Sequence, residues 1–107
     1  MDLKRKVIKV EFNEQEYDFV LDFESAIEFQ DMYGKSIFLG LTKISEEQDI
    51  FALACLIASC VKDNDQAVGL DFVKKLNLMK TLGYFMDLIP ELVDNSVPSE
   101  ESPVKKK

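Results

Sequence analysis

The sequence predicts an α+β domain that is mainly α, with an N-terminal β-hairpin packed on a small bundle of about four helices. Three observations lead to this fold class. Apolar and polar residues alternate over residues 6–23, helical periodicity follows over most of residues 23–89, and the chain is 47% hydrophobic and 31% charged. A length of 107 residues leaves room for one domain. We expect that domain to occupy residues 1–94.

Residues 6–23 have the pattern of two half-buried strands. One face of the first strand carries Ile8, Val10 and Phe12, and one face of the second carries Tyr17, Phe19, Leu21 and Phe23. The polar link at 13–16 offers Asn13 for a left-handed turn position. An isolated hairpin is marginally stable in water, so we expect its apolar face to lie on helices.

Four helices are predicted, over about 23–33, 46–62, 71–76 and 78–89. Asp22 is suited to cap the first helix and Gly34 to end it. The capping box at residues 45–48 predicts the start of the second helix, which is apolar on all sides and should form the centre of the domain. Residues 35–44 fit either a short helix or a packed loop. Pro90 is expected to end or kink the last helix.

The composition of the remaining segments predicts a soluble intracellular protein with a disordered tail at residues 95–107. The longest apolar run, Ile50–Ala58, has nine residues, about half of a membrane span, and no secretory signal precedes it. Cys55 and Cys60 would lie on different sides of one helix, which predicts free buried thiols. Such thiols fit either a reducing compartment or a packing role with no redox role.

Charge and composition argue against nucleic-acid binding and against catalysis. Acidic residues outnumber basic ones 20 to 13, the net charge is −7, and the chain has no histidine. A sequence-independent hold on nucleic acid needs the opposite sign of charge, and histidine is the commonest group for proton transfer and metal ligation near neutral pH. We therefore expect no enzyme, catalytic residue, cofactor or small-molecule substrate.

One stretch resembles the beginning of a calcium-binding loop. Asp63, Asn64 and Asp65 supply the first oxygen atoms of such a loop, but Ala67, Val68 and Lys74 occupy positions that need a ligand, a glycine and a glutamate. The segment is better interpreted as a solvated turn between helices. No metal site is predicted.

The last helix carries more apolar surface than one packed face requires. Its apolar side chains cover about 220° at 100° per residue, whereas a surface helix needs about 100°. One interpretation is that the helix packs between neighbours within the domain. The other is that one side binds a partner chain or a second copy, for which flexible methionines are well suited. The predicted partner-binding residues are Leu78, Met79, Leu82, Phe85, Met86 and Ile89.

The order of features over roughly residues 7–92 resembles the tail assembly chaperones of long-tailed bacteriophages and prophages. The resemblance rests on the hairpin segment 13–19, on Asp22-Phe23 leading into an acidic and apolar helix that ends near residues 33–36, on the run 53–58, and on a final helical pair ending at Pro90.

This resemblance implies a non-enzymatic assembly factor that binds the tape-measure protein and helps tail-tube subunits to assemble around it. It also implies a location in the bacterial host cytoplasm and absence from the mature virion. Two alternatives remain open from the residues: an acidic inhibitor that mimics DNA, and a small adaptor protein.

Overall fold

The computed structural model describes residues 6–96. The element order is β1 (Lys6–Phe12), β2 (Gln15–Leu21), α1 (Phe23–Tyr33), α2 (Ile37–Glu47), α3 (Ile50–Cys60), β3 (Val61–Asp63), β4 (Gln66–Ala67), α4 (Gly69–Val73) and α5 (Leu78–Ser96). The predicted fold class is confirmed: an N-terminal antiparallel hairpin is followed by a mainly helical domain.

The four strands form one antiparallel sheet in the order β1-β2-β3-β4. The first hairpin turns on two residues, Asn13 and Glu14, which both have positive φ angles of 53° and 68°. Such a two-residue turn matches the twist of the flanking strands. The left-handed position of Asn13 is therefore confirmed, but β2 begins at Gln15, two residues earlier than predicted.

A second, unpredicted hairpin follows α3. Asn64 and Asp65 form its turn, again with positive φ angles, and β3 pairs with β2 through Asp18 and Lys62. The sequence analysis interpreted these residues as a turn between helices. The free edge of β2 allows the short strands β3 and β4 to extend the sheet.

The ends of α1 follow the predicted local signals. The Asp22 carboxylate accepts a hydrogen bond of 2.9 Å from the Ser25 backbone amide, and Gly34 ends the helix at φ 86°. A left-handed residue at this position costs little only for glycine. Both predicted end signals are confirmed.

The predicted helix over 46–62 is wrong, because the structure has two helices in this region. Ser36 caps α2, and Gln48 ends it in a left-handed conformation at φ 54°. Asp49 then caps α3 by accepting a hydrogen bond of 3.0 Å from the Ala52 amide. Ser45 lies inside α2 and caps nothing, since Asp49 supplies the acceptor at the true start of α3.

Helix α3 forms the centre of the domain, as predicted for an apolar helix. Eight of its eleven residues are buried, and it contacts α1, α2, α4 and the sheet. Cys55 and Cys60 are both free and buried, as predicted. Ser59, the polar residue in this run, donates its hydroxyl to the Cys55 carbonyl at 2.8 Å.

The hairpin packs on α4 and α5 through aromatic side chains. The Phe12 ring lies nearly parallel to the Phe85 ring at 6.1 Å, and Phe19 also contacts Phe85 at 6.1 Å. Phe72 of α4 makes edge contacts with Phe12 at 5.8 Å and Tyr17 at 5.2 Å. The expectation that helices cover the apolar face of the hairpin is confirmed.

The last two helices differ from their predicted bounds. Helix α4 ends at Val73, and the residues that follow form turns onto it before α5 begins at Leu78. Helix α5 continues through Pro90 to Ser96, so the prediction that Pro90 ends the helix is wrong. Residues 95 and 96, which were predicted to be disordered, are therefore helical. The rest of the predicted tail, 97–107, lies outside the described residues.

Candidate partner-binding site

The structure divides the six predicted partner-binding residues between the core and the surface. Leu82, Phe85 and Ile89 are buried in the hydrophobic core, so they offer no open surface. The expectation that all six share one exposed face is corrected accordingly, because Phe12 and Phe19 of the hairpin cover Phe85 and helix α2 also packs against α5. Met86 is half-buried. Leu78 is 53% exposed and Met79 is 73% exposed.

Leu78 lies at one wall of an open apolar groove between three helical segments. The groove has a volume of about 260 Å³. Its lining residues come from α3, from α4 with the turn that follows it, and from the start of α5: Ile50, Leu53, Ala54, Ile57, Val73, Lys74, Leu76, Leu78 and Thr81. We call this feature the apolar groove.

The apolar groove has a buried floor and an exposed rim. Leu53 and Ile57 are part of the hydrophobic core, whereas Ile50 is 44% exposed and faces the same groove as Leu78. Lys74 and Thr81 are the polar residues among those that line it. A concave surface of this kind binds apolar side chains of a partner, because both partners then remove apolar area from water.

The position of Ile50 depends on the cap of α3. The Asp49 carboxylate accepts from the Ala52 amide and also from the Tyr33 hydroxyl at 2.9 Å. These donors lower the pKa of Asp49, the Ala52 amide having the larger effect. Partial burial, followed by the hydrogen bond to Asp49, raises the pKa of Tyr33. The cap therefore holds the first turn of α3, and with it one rim residue of the groove.

A second cleft lies between the first hairpin turn and the beginning of α5. Its volume is about 280 Å³, and it is lined by Glu11, Phe12, Asn13, Glu14, Leu76, Asn77, Lys80, Thr81 and Tyr84. We call it the acidic cleft. Leu76 and Thr81 line both this cleft and the apolar groove.

The acidic cleft has two carboxylates, Glu11 and Glu14, and one cation, Lys80, among its lining residues. Glu11 lies opposite Glu16 in the β1–β2 ladder, and like charges in such a pair repel each other. Among the described side chains, none forms an ion pair with Glu11 or Glu14; the described pairs join Lys9 to Asp18, Lys43 to Glu47 and Lys62 to Glu28. Burial and then the nearby Glu11 carboxylate raise the pKa of Tyr84.

Most of these lining residues were not predicted from the sequence. The whole apolar run after Ile50 was expected to be buried, whereas the first turn of α3 is half exposed at Ile50 and Phe51. One signal was present: Asp49 stands directly before the apolar run, in a position suited to a helix cap. The second cleft had no local signal, because its walls come from segments more than 60 residues apart in the chain.

The described residues offer little for covalent or metal chemistry. Within residues 6–96, no group of three or more His, Cys, Asp or Glu is placed to hold a metal ion. Burial raises the pKa of Cys60 to about 12, which keeps its thiol protonated and unreactive at neutral pH. In the same part of the chain, no helix is long and apolar enough to cross a membrane.

The fold thus defines a small α+β domain with an open apolar groove beside a second cleft. Comparisons with protein-family models, with curated proteins and with solved structures find no significant match to this chain.

Proposed function

We propose that the protein is a non-enzymatic tail assembly chaperone that holds an amphipathic helical segment of the tape-measure protein in the apolar groove. The observation that carries the proposal is the open rim of this groove, where Ile50 and Leu78 are each about half exposed above a buried aliphatic floor. An amphipathic helix binds in such a groove by inserting apolar side chains spaced one turn apart.

The exposed area at the rim sets the strength of this interaction. Covering the remaining exposed part of Ile50 or Leu78 would contribute about 1 kcal/mol each, since complete burial of such a side chain contributes about 1.5–3 kcal/mol. Association also costs several kcal/mol of lost rotational and translational freedom. The two rim contacts together contribute less than this cost, so further contacts along the groove must contribute as well, and we expect weak, reversible binding. Reversibility suits a chaperone that must release its partner.

The proposed location and the fate of the protein follow from transient binding of the tape-measure segment. The protein would act in the bacterial host cytoplasm, shield the tape-measure segment until tail-tube subunits assemble around it, and be absent from the mature virion. Its net charge of −7 would keep the chaperone and its cargo in solution by mutual repulsion between complexes.

The alternative of a DNA-mimicking inhibitor requires a regular exposed array of carboxylates. Asp18, Glu28 and Glu47 are each paired with a lysine, which reduces the negative charge available for such an array. A small adaptor protein would use the same apolar groove, so the identity of the bound partner separates it from a chaperone.

The proposal is tested with overlapping peptides from the tape-measure protein that we expect to be encoded just downstream of the gene. Fluorescence anisotropy would measure their binding to the wild type, to Ile50→Ser and to Leu78→Ser. The matched control is Ile27→Ser, which changes a 59% exposed isoleucine on α1, away from the groove. We expect at least one helical peptide to bind, with affinity reduced roughly tenfold by each groove variant and unchanged by the control.

Two outcomes would contradict this function. In the first, no tape-measure peptide binds; in the second, the control variant weakens binding as much as the groove variants do. A pull-down with the full chain that recovers a DNA-binding enzyme in place of the tape-measure protein would favour the DNA-mimicking inhibitor.

A further inference from the structure

The apolar groove and the acidic cleft meet at a common wall. Leu76 and Thr81 line both, while Leu78 lines the groove alone and Tyr84 lines the acidic cleft alone. Leu78 and Tyr84 are six residues apart on α5, which places them about 9 Å apart along the helix axis. A single bound segment of two to three helical turns is long enough to contact both clefts.

We propose that the two clefts form one recognition surface, whose occupant carries apolar side chains and, one to two helical turns further on, a lysine or arginine. The apolar side chains occupy the groove and the basic side chain enters the acidic cleft. This inference rests on the proposed function, because it specifies the chemistry of the helical segment that the groove holds.

Charge complementarity supports the basic side chain. The acidic cleft presents Glu11 and Glu14 against one cation, Lys80, and neither carboxylate has an ion-pair partner among the described side chains. Glu16 stands opposite Glu11 and adds to the same negative field. A lysine or arginine of the partner would reduce the repulsion between these groups.

An exposed aromatic ring in the acidic cleft favours the same occupant. Tyr84 is 40% exposed, whereas Phe12, whose ring centroid is 6.4 Å away, is buried and stacked on Phe85. A cation near an aromatic face is attracted by the negative charge of that face. The long aliphatic part of a lysine or arginine would also pack against the Tyr84 ring while its charged end reaches the carboxylates.

Thr81 places a hydroxyl in the wall that the two clefts share. The residue as a whole is 9% exposed, but its hydroxyl is not among the fully buried polar atoms that lack a hydrogen-bond partner. It is therefore open to a polar group that enters the clefts. Because Thr81 lies in the wall shared by both clefts, a polar group of the bound segment can form a hydrogen bond with this hydroxyl.

The test uses three synthetic amphipathic helices with one apolar face and a single variable position. That position, one to two turns beyond the last apolar anchor, carries Lys, Gln or Glu. Binding to the full chain would be measured by fluorescence anisotropy at low and high salt. We expect the Lys peptide to bind at least tenfold more tightly than the Glu peptide, and the difference to shrink at high salt.

Two sets of protein variants assign that preference to the acidic cleft. The Glu11→Gln/Glu14→Gln double variant should abolish the preference for Lys, whereas Glu24→Gln/Asp31→Asn on α1 should retain it. Thr81→Val should weaken binding of the Lys peptide severalfold, and Thr81→Ser should restore it. Thermal unfolding by circular dichroism would establish that each variant is folded.

The outcomes separate this inference from the proposed function. If all three peptides bind alike and Leu78→Ser abolishes their binding, the groove still holds helices and the basic recognition is wrong. If no peptide binds, and the tape-measure peptides also fail, both proposals are wrong. Self-association of the chain that is lost in the double glutamine variant would assign the surface to a second copy and overturn the inference.

Discussion

The Tyr33 hydroxyl at the end of α1 donates a hydrogen bond of 2.9 Å to the Asp49 carboxylate at the start of α3. The other oxygen of Asp49 accepts from the Ala52 amide, so one side chain both caps α3 and ties it to α1. Ile50, which follows the cap directly, is a rim residue of the apolar groove. The connection between the two helices therefore supports the site as well as the fold.

This cap predicts a stability difference that depends on pH. The Ala52 amide and the Tyr33 hydroxyl lower the pKa of Asp49 below its ordinary value of 3.8, so the ionised cap stabilises the fold above that value and is lost as the pH falls through the lower folded-state pKa. At neutral pH, Asp49→Ala should reduce the free energy of unfolding by about 1–2 kcal/mol. Urea unfolding at several pH values measures the difference, which should shrink below about pH 4.

A matched variant separates the two bonds of this cap. Tyr33→Phe keeps the ring beside Phe29 and Phe51 but removes the hydroxyl, and should reduce the free energy of unfolding by about 0.5–1.5 kcal/mol. If the free energy of unfolding of Asp49→Ala stays below that of the wild type by the same amount from neutral to strongly acidic pH, the ionised carboxylate is not the cause of the difference.

Gly40 and Gly83 should respond in opposite ways to substitution by alanine. A Cβ atom at Gly40 would overlap the ring of Phe29, which is fully buried and cannot move aside. Gly40→Ala should therefore lower the free energy of unfolding by about 1–3 kcal/mol. Gly83 has no atom within 4 Å of such a Cβ, so Gly83→Ala should raise it by about 0.5–1 kcal/mol through helix propensity.

Urea unfolding of the two alanine variants measures both effects under the same conditions. Equal stabilisation by both substitutions would mean that α1 and α2 do not approach each other as closely as the structure places them.

Glu14 occupies the second position of the first hairpin turn at φ 68°, where an L side chain is strained. Glu14→Gly should raise the free energy of unfolding by roughly 0.5–1 kcal/mol, because glycine adopts this conformation readily. The same change removes a carboxylate from the acidic cleft, so it should weaken binding of the Lys peptide while stabilising the fold. Thermal unfolding and anisotropy measure the two effects separately.

Glu14→Gln is the control for this turn. It removes the charge but keeps a side chain at the strained position, so it should reduce binding without raising stability. A loss of stability in Glu14→Gly would contradict the assignment of the turn.

Phe85 and Met79 test the division of α5 into a core side and a free surface. Phe85 is fully buried against Phe12 and Phe19, so Phe85→Ala should cost about 3–5 kcal/mol of unfolding free energy. Met79 is exposed, and Met79→Ala should change stability by less than about 0.5 kcal/mol. Urea unfolding distinguishes the two variants. If Phe85→Ala is as stable as Met79→Ala, the hairpin does not pack against Phe85.

Features that depend on neighbouring residues in the chain could be predicted from the sequence. Asp22 and Gly34 act within one helical turn of the residues that they cap, and the alternation of 6–12 sets the buried face of the first strand. The hairpin and α1 were therefore predicted closely. Their local signals and their tertiary contacts favour the same structure.

Features that depend on distant contacts were not predicted. Ser45 and Asp49 are both suitable caps, and local sequence does not decide between them. Tyr33 provides a partner for Asp49, which is information that only the folded chain contains. The short strand β3 similarly depends on the free edge of β2, about 40 residues earlier in the chain.

The candidate site was only partly predicted, because its exposed residues also depend on contacts between distant parts of the chain. Helical periodicity identified an excess of apolar residues on α5, but it could not show which of them the hairpin would cover. Phe12 and Phe19 place Phe85 in the core, whereas Leu78 at the beginning of the helix remains open. Which residues of α5 are buried thus depends on the contacts of the helix with the hairpin and with α2.

The floor of the apolar groove limits which of its residues can change without loss of folding. Leu53 and Ile57 serve the interior of the domain and the groove at once, so replacing them would alter ligand preference only together with folding. Ile50, Lys74 and Leu78 are free of this restriction. A library randomised at those three sites would retain folded members and reveal the range of sequences that the scaffold can accept.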